Sequence, residues 1–290
     1  MLMLITVFTP TFNRSNLLPR LYESLKAQTC QDFEWLIVDD GSTDNTEEIL
    51  APLLKDGLGC GDIRYFKQEN GGKHRAINLG VLEARGELFF IADSDDYLPT
   101  DALQIVADKY SRIKGNPKIG GVCGLDMALN GTVIGSGLPK DEILCNSIDL
   151  RLKYHVTGDL KEVFLTRVLK EFPFPEIDGE RFCPEALAWN RIAQKYDLLF
   201  FNKPIYIAEY QDGGLTDRIV QVRMGSPVAS MMCYREYCKC NIPIKDKIKS
   251  AINYWRFHAC VPKGKKVPKL PWQWFWCLPL GYAMHLKDKR

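Results

Sequence analysis

The apolar positions of the first 125 residues change their spacing repeatedly, and each change marks an element. Residues 4–9 are a short β-rich run closed by Pro10. In residues 16–28, Leu17, Leu18, Leu21 and Leu25 recur at helical spacing. Residues 34–39 (EWLIVD) are continuously apolar, as in a strand that a parallel sheet buries on both faces. A helix is expected from Thr43, with Asp44 and Glu47 spaced as cap and N3 residue. Residues 63–67 read as a strand, 72–84 as a helix, 88–92 (LFFIA) as a strand, 101–113 as a helix and 120–125 as a strand. This alternation predicts an α/β fold, a mostly parallel sheet flanked by helices with a Rossmann-like first half. Beyond it the pattern is less regular. Residues 160–170, 184–195 and 219–238 read as helices, 198–201 and 205–210 as strands added at the sheet edge, and 131–138 as a hairpin or loop.

Charge refines the division. The net charge is +2, but the 52 residues from Lys239 onward hold 12 Lys/Arg and 2 Asp/Glu, leaving 26 and 34 in the rest: +10 against −8. A main body over residues 1–240, with halves 1–125 and 126–240, and a basic aromatic appendage over 241–290 are therefore expected. Within the appendage, Lys263, Lys265, Lys266 and Lys269 precede Trp272, Trp274, Phe275 and Trp276. The uncharged run 270–286 is broken by Pro271, Pro279 and Gly281. It is too short and interrupted to span a bilayer, but rings beside cations suit a membrane interface; packing on the body is the competing reading. The ten cysteines are scattered without CxxC spacing and only four histidines are present, which argues against a zinc site and for free thiols in a reducing cytosol. The start reads directly into a strand, with no secretory signal pattern, and no recognised nucleic-acid motif accompanies the basic residues.

The chemistry concentrates where strands end. Asp93-Ser94-Asp95-Asp96 follows the fourth apolar run directly. Three carboxylates in four residues repel one another unless a cation sits among them, and oxygen donors select hard ions such as Mg²⁺ or Mn²⁺. An acidic turn before the next helix is the plainer alternative. Thr9-Pro10-Thr11-Phe12-Asn13-Arg14 closes the first strand, and Asp39-Asp40-Gly41-Ser42 the second. Asn70-Gly71-Gly72-Lys73 opens a helix containing Asn78-Leu79-Gly80. On an open α/β sheet, ligands collect at these carboxyl ends.

These four motifs, in this order, resemble the family 2 glycosyltransferases over residues 1–125, and more weakly to about residue 215. The resemblance implies a GT-A fold, an inverting transfer and a nucleotide-sugar donor. Carried over, Pro10, Thr11 and Asp40, with Asp39 as neighbour, attend the base and ribose, and Asn13, Asn70 and Lys73 join them in binding the nucleotide-sugar. Asp93 and Ser94 lie near the ribose, Asp95 binds the Mn²⁺ or Mg²⁺, and Asp96 is its substitute or companion. One departure stands out: Ile77 precedes Asn78 where the family often has Arg, leaving Lys73, His74 or Arg75 to supply that cation. Inversion needs a carboxylate to take the acceptor's hydroxyl proton. The resemblance points to Glu185, six residues before Arg191, with Glu180 and Asp178 as rivals. His155 is a further acceptor-side candidate, and the glycines of residues 210–215 (YQDGGL) suit a lid as well as a turn.

The expectation is an inverting glycosyltransferase that moves a sugar from a nucleoside diphosphate, UDP foremost, to a glycan or lipid-linked acceptor. The setting implied is cell-surface polysaccharide or glycolipid synthesis at the cytoplasmic side of the membrane, with peripheral contact through residues 261–290. A nucleotidyltransferase would need a Gly-rich phosphate loop after the first strand, which TPTFNR lacks. A non-catalytic sugar-nucleotide or glycan-binding module has no need of Asp93, Asp95 and Glu185 together. A Rossmann dehydrogenase lacks its GxGxxG here.

Overall fold

The computed structural model describes residues 3–58, 62–209 and 218–289. The chain divides into two compact units, one of residues 1–70, 76–173 and 195–210, the other of residues 71–75, 174–194 and 211–290.

The first unit is built on one eight-stranded sheet. Its strands are β1 (Ile5–Thr11), β2 (Phe33–Asp39), β3 (Ile63–Lys67), β4 (Leu88–Ile91), β5 (Ile119–Ala128), β6 (Glu142–Cys145), β7 (Leu160–Leu165) and β8 (Asp197–Ala208), in the order β3-β2-β1-β4-β7-β5-β8-β6. The runs read as continuously apolar are the central ones: β1, β2 and β4 are buried at every position. Trp35, Phe8, Phe89 and Phe90 fill the core between the sheet and its helices. Helices α1 (Leu18–Lys26), α2 (Thr46–Asp56), α3 (Lys73–Glu83) and α4 (Ala102–Ser111) fall where helical spacing was read, each trimmed by one to three residues at an end. The start of α2 is the clearest shift. Asn45 is its N-cap, while Asp44 accepts from the Thr46 amide (3.2 Å) and hydroxyl (2.5 Å) just outside the helix.

Beyond β5 the structure corrects the sequence pattern. Residues 160–170 are not one helix: β7 runs antiparallel between β4 and β5, and only α6 (Thr166–Glu171) is helical. The two edge strands expected at 198–201 and 205–210 are one strand, β8, and it lies inside the sheet between β5 and β6. Pro204, which divides the two apolar runs, is accommodated where the β5–β8 register shifts beside Leu125. Helix α5 (Ser147–Lys153) was not foreseen; Asn146 caps it by accepting from the Asp149 amide (2.9 Å).

The second unit is helical. It contains α7 (Ala186–Ile192), α8 (Ile219–Gly225), α9 (Pro227–Lys239), α10 (Ile244–His258), a 3₁₀ turn (Trp272–Cys277) and α11 (Leu278–Asp288). The single helix expected over 219–238 is interrupted at Ser226-Pro227, because proline carries no amide to continue the ladder and starts a new helix instead. Met231 of α9 packs with Tyr254 and Phe257 of α10, and Cys238 and Ala251 with Trp274 and Cys277. The cysteines among the described residues are free thiols.

Candidate functional site

In the first unit, β1 lies between β2 and β4 and runs parallel to both. Parallel neighbours end together, so the loops after these three strands meet at one edge of the sheet. Thr11 is in register with Asp39, and Phe8 with Ile91 just before the Asp93 loop. The four motifs split here into groups that hold the loops and groups that are left to act.

Asp39 and Asn13 hold. Asp39 is fully buried; it accepts from the Ser42 amide (2.7 Å) and the Tyr65 hydroxyl (2.9 Å), and that carboxylate, after burial itself, pushes the Tyr65 phenol well above its ordinary range. Asn13, at a left-handed φ of 51°, accepts from the Thr43 amide (2.8 Å), and its own amide donates to Ser42 Oγ (2.9 Å). The two loops are thereby stitched together. Gly41 must be glycine: its φ is 81°, and a Cβ there would lie 2.8 Å from the Asn70 amide nitrogen.

Asp40 and Thr11 face the same edge with chemistry to offer. Asp40 accepts from Gln68 Nε2 (2.7 Å) and Asn70 Nδ2 (3.3 Å), which makes Asn70 an orienting group for it. Thr11 Oγ1 is buried without a hydrogen-bond partner. A buried hydroxyl left unpaired costs about 1–3 kcal/mol, so a polar ligand that engages it recovers that penalty.

After β4 the carboxylates have different surroundings. Asp95 is ion-paired with Arg14, while Arg20 donates to the Asp95 carbonyl, pairs with Glu209 and lies 4.8 Å over the Tyr97 ring. Asp96 is buried and accepts from the Glu209 amide (2.9 Å); burial, with Asp93 adding to it, raises its carboxyl to about 6. The Tyr206 hydroxyl accepts from the Asp93 amide (2.8 Å) and bonds to Asp96, tying the loop to β8. Ser94 is buried.

Strand register brings one more group here. Asp126 on β5 stands opposite Tyr206, and Lys161 lies 3.3 Å over the Tyr206 ring. Asp126 is buried, its Oδ1 has no hydrogen-bond partner, and burial raises its carboxyl to about 6, with Lys161 opposing and Asp159, Asp96 and Asp93 adding to the rise. Native Asp126 therefore holds its proton longer than an unfolded aspartate. The folded chain gives up stability as pH climbs from about 4 to about 6, and the full penalty persists above that. Asp126→Asn removes the charge and keeps the shape. It will raise stability at pH 7.5 by about 1–3 kcal/mol, two units at 1.36 kcal/mol each being the upper end, and leave it unchanged near pH 4. Thermal melts of both proteins at the two pH values check this; an equal gain at both would refute burial of charge as the cause.

The second unit carries the remaining candidates. Glu185 is the N-cap residue of α7, yet its side chain makes no capping hydrogen bond; it pairs with Lys73 at 2.8 Å, and both are partly exposed. The rival Glu180 is engaged otherwise. It is buried, accepts from the Val228 (3.0 Å) and Ala229 (2.9 Å) amides in the first turn of α9, and is paired with Lys265 (3.2 Å). A carboxylate so occupied is a helix-terminus anion. Asp178 is exposed, and only its carbonyl is used, by Lys265. Arg75 reaches the Ile177 carbonyl (3.4 Å). His155 is exposed at a φ of 55°. Residues 210–215 lie outside the described residues.

Arg14, Tyr206, Lys161 and Asp126 escaped sequence reading. Arg14 stood in a recognised motif without a role, and the others become neighbours of the Asp93 loop only through strand order.

Residues 6–116 match the glycosyl transferase family 2 model. The chain is 28% identical over 224 residues to glycosyltransferase GlyG of Streptococcus pneumoniae serotype 4, covering 73% of this chain and 72% of that protein. It is 31% identical over 189 residues to the GalNAc(5)-diNAcBac-PP-undecaprenol beta-1,3-glucosyltransferase of Campylobacter jejuni, covering 64% of this chain and 58% of that one. Among solved structures, S. aureus TarS 1-349 in complex with UDP-GlcNAc aligns at a TM-score of 0.63 and 17% identity, over 99% of this chain and 89% of that chain. A mannosyltransferase from Pyrobaculum calidifontis in complex with GDP-Man and Mn²⁺ aligns at 0.58 and 16% identity, over 98% and 74%. The fold is the GT-A fold of these enzymes.

Proposed function

From a chain that residues 6–116 place among the family 2 glycosyltransferases, we propose an inverting enzyme that takes a sugar from a nucleoside diphosphate, UDP foremost, and delivers it to a glycan or lipid-linked acceptor. The observation that carries the donor side is the meeting of Thr11, Asp40, Asp93 and Asp95 at the adjoining carboxyl ends of β1, β2 and β4. Thr11 supplies an unpaired buried hydroxyl and Asp40 an oriented carboxylate that accepts from a base N–H or a ribose hydroxyl. Pro10 sets the strand's exit beside them, and Asp39, Asn13 and Asn70 hold the loops.

Asp95 and Asp93 are the residues that would hold a divalent ion, with Ser94 between them. The donor set fits: hard oxygens, and on Asp95 a carboxylate that already carries a cation, the Arg14 guanidinium. Asp96 has one oxygen committed to the Glu209 amide, which makes it the lesser ligand beside Asp95. Among the described residues no three His, Cys, Asp or Glu side chains are gathered as a ready cage, so an ion held by this loop completes its shell with phosphate oxygens and water. When bound, Mn²⁺ or Mg²⁺ supplies neutralisation of charge on the departing diphosphate.

The acceptor half-reaction needs a base. Glu185 is that residue in this reading: it is partly exposed, it is unused as a cap, and Lys73 lies beside it. The name of the Campylobacter relative gives a polyprenol-linked glycan, which favours a lipid-linked acceptor here. Residues 1–240 are then the catalytic part and 241–290 the part that brings it to the cytoplasmic face of the membrane. Cell-surface polysaccharide or glycolipid synthesis is the setting.

The test is calorimetric. UDP will bind at least about tenfold, 1.4 kcal/mol, more tightly with Mn²⁺ than without it, and Asp95→Asn will remove most of that gain. Metal-independent binding of UDP that ignores the substitution would dismiss the Asp95 assignment, and the absence of binding by any nucleoside diphosphate would dismiss the donor reading.

A further inference from the structure

The basic aromatic segment at the end of the chain is both packed and exposed, on opposite sides. Its inner side rests on α10. Trp274 and Cys277 of the 3₁₀ turn are buried with Ala251, and the Trp255 indole donates to the Trp274 carbonyl (3.0 Å). In α11 only Gly281 and His285 are buried, one turn apart. Gly281 is there because nothing larger fits: a Cβ would lie 2.5 Å from Trp255 Cβ and 2.6 Å from the Ile252 carbonyl oxygen. Arg256 grips Asp288 with two nitrogens. The segment is thus fixed by a narrow stripe.

Its outer side has no such cover. Trp272 is 88% exposed, Phe275 62% and Trp276 55%, and the apolar surface continues through Leu280, Tyr282, Met284 and Leu286. A helix apolar nearly all round that buries one residue per turn is not a surface helix made for water. The charge beside it has one sign. Lys263, Lys266, Lys269, Lys287 and Lys289 are exposed, whereas Asp288 is the sole acid in residues 259–289 and is held by Arg256. Lys265 is engaged with Glu180 and does not add to the outer charge. Among the described residues no helix is long and apolar enough to cross a membrane.

We propose that the outer face of the 3₁₀ turn and α11 docks on an anionic lipid bilayer. Trp272, Phe275 and Trp276 enter the headgroup–acyl boundary, and the lysines meet lipid phosphates. Tryptophan rings at that depth and lysines just outside it are the arrangement that the interface selects. Charge decides against a second copy of this chain. A two-fold contact through the same patch sets each lysine group against its own image, whereas an anionic surface complements it. The inference deepens the membrane attachment of the proposed glycosyltransferase, on which its purpose rests, but its geometry stands without that activity.

The experiment is co-sedimentation of the full chain with vesicles of phosphatidylcholine alone and of equal parts phosphatidylcholine and phosphatidylglycerol, at low and high salt. Binding is expected to the anionic vesicles, weakened by salt, with a blue shift of tryptophan emission. Trp272→Ser combined with Trp276→Ser will lower partitioning about tenfold or more, with UDP affinity unchanged and melting temperature little changed, since Trp272 is almost bare and neither ring belongs to a core cluster. Full-length protein that ignores anionic vesicles at low salt overturns the proposal. So does a double variant that binds them as the parent does, and so does a dimer in sedimentation equilibrium that the double variant abolishes. Vesicle binding without any nucleotide binding would sink the enzymatic reading and leave this one standing; nucleotide binding without vesicle binding would do the reverse.

Discussion

Glu185→Gln will lower transfer by about 10²–10⁴-fold, the usual worth of a positioned general base, which is roughly 3–5.5 kcal/mol of barrier. The substitution keeps the shape of the side chain and an oxygen for Lys73, but replaces the basic carboxylate that the proposed reaction uses to take the acceptor's proton with a neutral amide. Little else should change. The carboxylate makes no capping bond for α7, and its ion pair with Lys73 joins two partly exposed groups, a kind of pair worth at most about 1 kcal/mol. Donor affinity and melting temperature are therefore expected to stay near those of the parent, and a lower turnover is then a chemical loss. Donor hydrolysis serves as the first assay until an acceptor is in hand. Near-normal transfer by Glu185→Gln, alongside a loss in Asp178→Asn, would move the base to Asp178. Glu180 is a poor rival on structural grounds, because two α9 amides and Lys265 already occupy it.

The second large effect is on folding. Gly72→Ala will destabilise the protein by about 2–5 kcal/mol, lowering its melting temperature by roughly 4–20 °C. Two costs add. Gly72 has a φ of 98°, which an L-residue adopts at a cost of about 1–2 kcal/mol. The new methyl would also lie 1.9 Å from the Arg181 carbonyl oxygen, an overlap with backbone that no rotamer change relieves and that adds about 1–3 kcal/mol. The neighbouring glycine is the control. A methyl on Gly71 meets the Arg75 side chain at 2.4 Å, which can yield by giving up its long bond to the Ile177 carbonyl, so Gly71→Ala should cost less than Gly72→Ala. Equal melting points for the two variants would show that Gly72 and Arg181 do not make this approach. Relief of the overlap by movement of the Arg181 segment would shift the chain that leads to Glu185, so Gly72→Ala should also lose activity out of proportion to its folded fraction.

What could be read from sequence follows physical range. The buried strands β1, β2 and β4 announce themselves because parallel central strands are apolar at every position, and the loops after them are polar for the same reason. Residues 160–170 misled because Leu160, Val163, Phe164, Val168 and Leu169 also fit a helical period. Pairing with β4 on one side and β5 on the other overrode that local preference for residues 160–165. Pro204 misled in the opposite way, as a break that a register shift absorbs. Within the motifs, sequence named the carboxylates but could not assign their tasks. Asp39 differs from Asp40, and Asp96 from Asp95, through partners such as Tyr65 and Glu209 that are distant in the chain. That Glu180 is occupied as a helix-terminus anion likewise depends on where α9 begins.

The antiparallel strand β7 bears on how the protein can be divided. Strands β1 to β4 pair among themselves, but the outer edge of β4 is matched only by Leu165, Phe164 and Val163. The stretch that aligns with the family, residues 6–116, stops before that partner is made. Expressed alone, it would present Leu88–Ile91 as a bare, wholly apolar edge open to pairing with other chains, the usual start of aggregation. Since β5 in turn pairs with β7 and β8, a soluble fragment for binding or labelling work has to run on through Ala208.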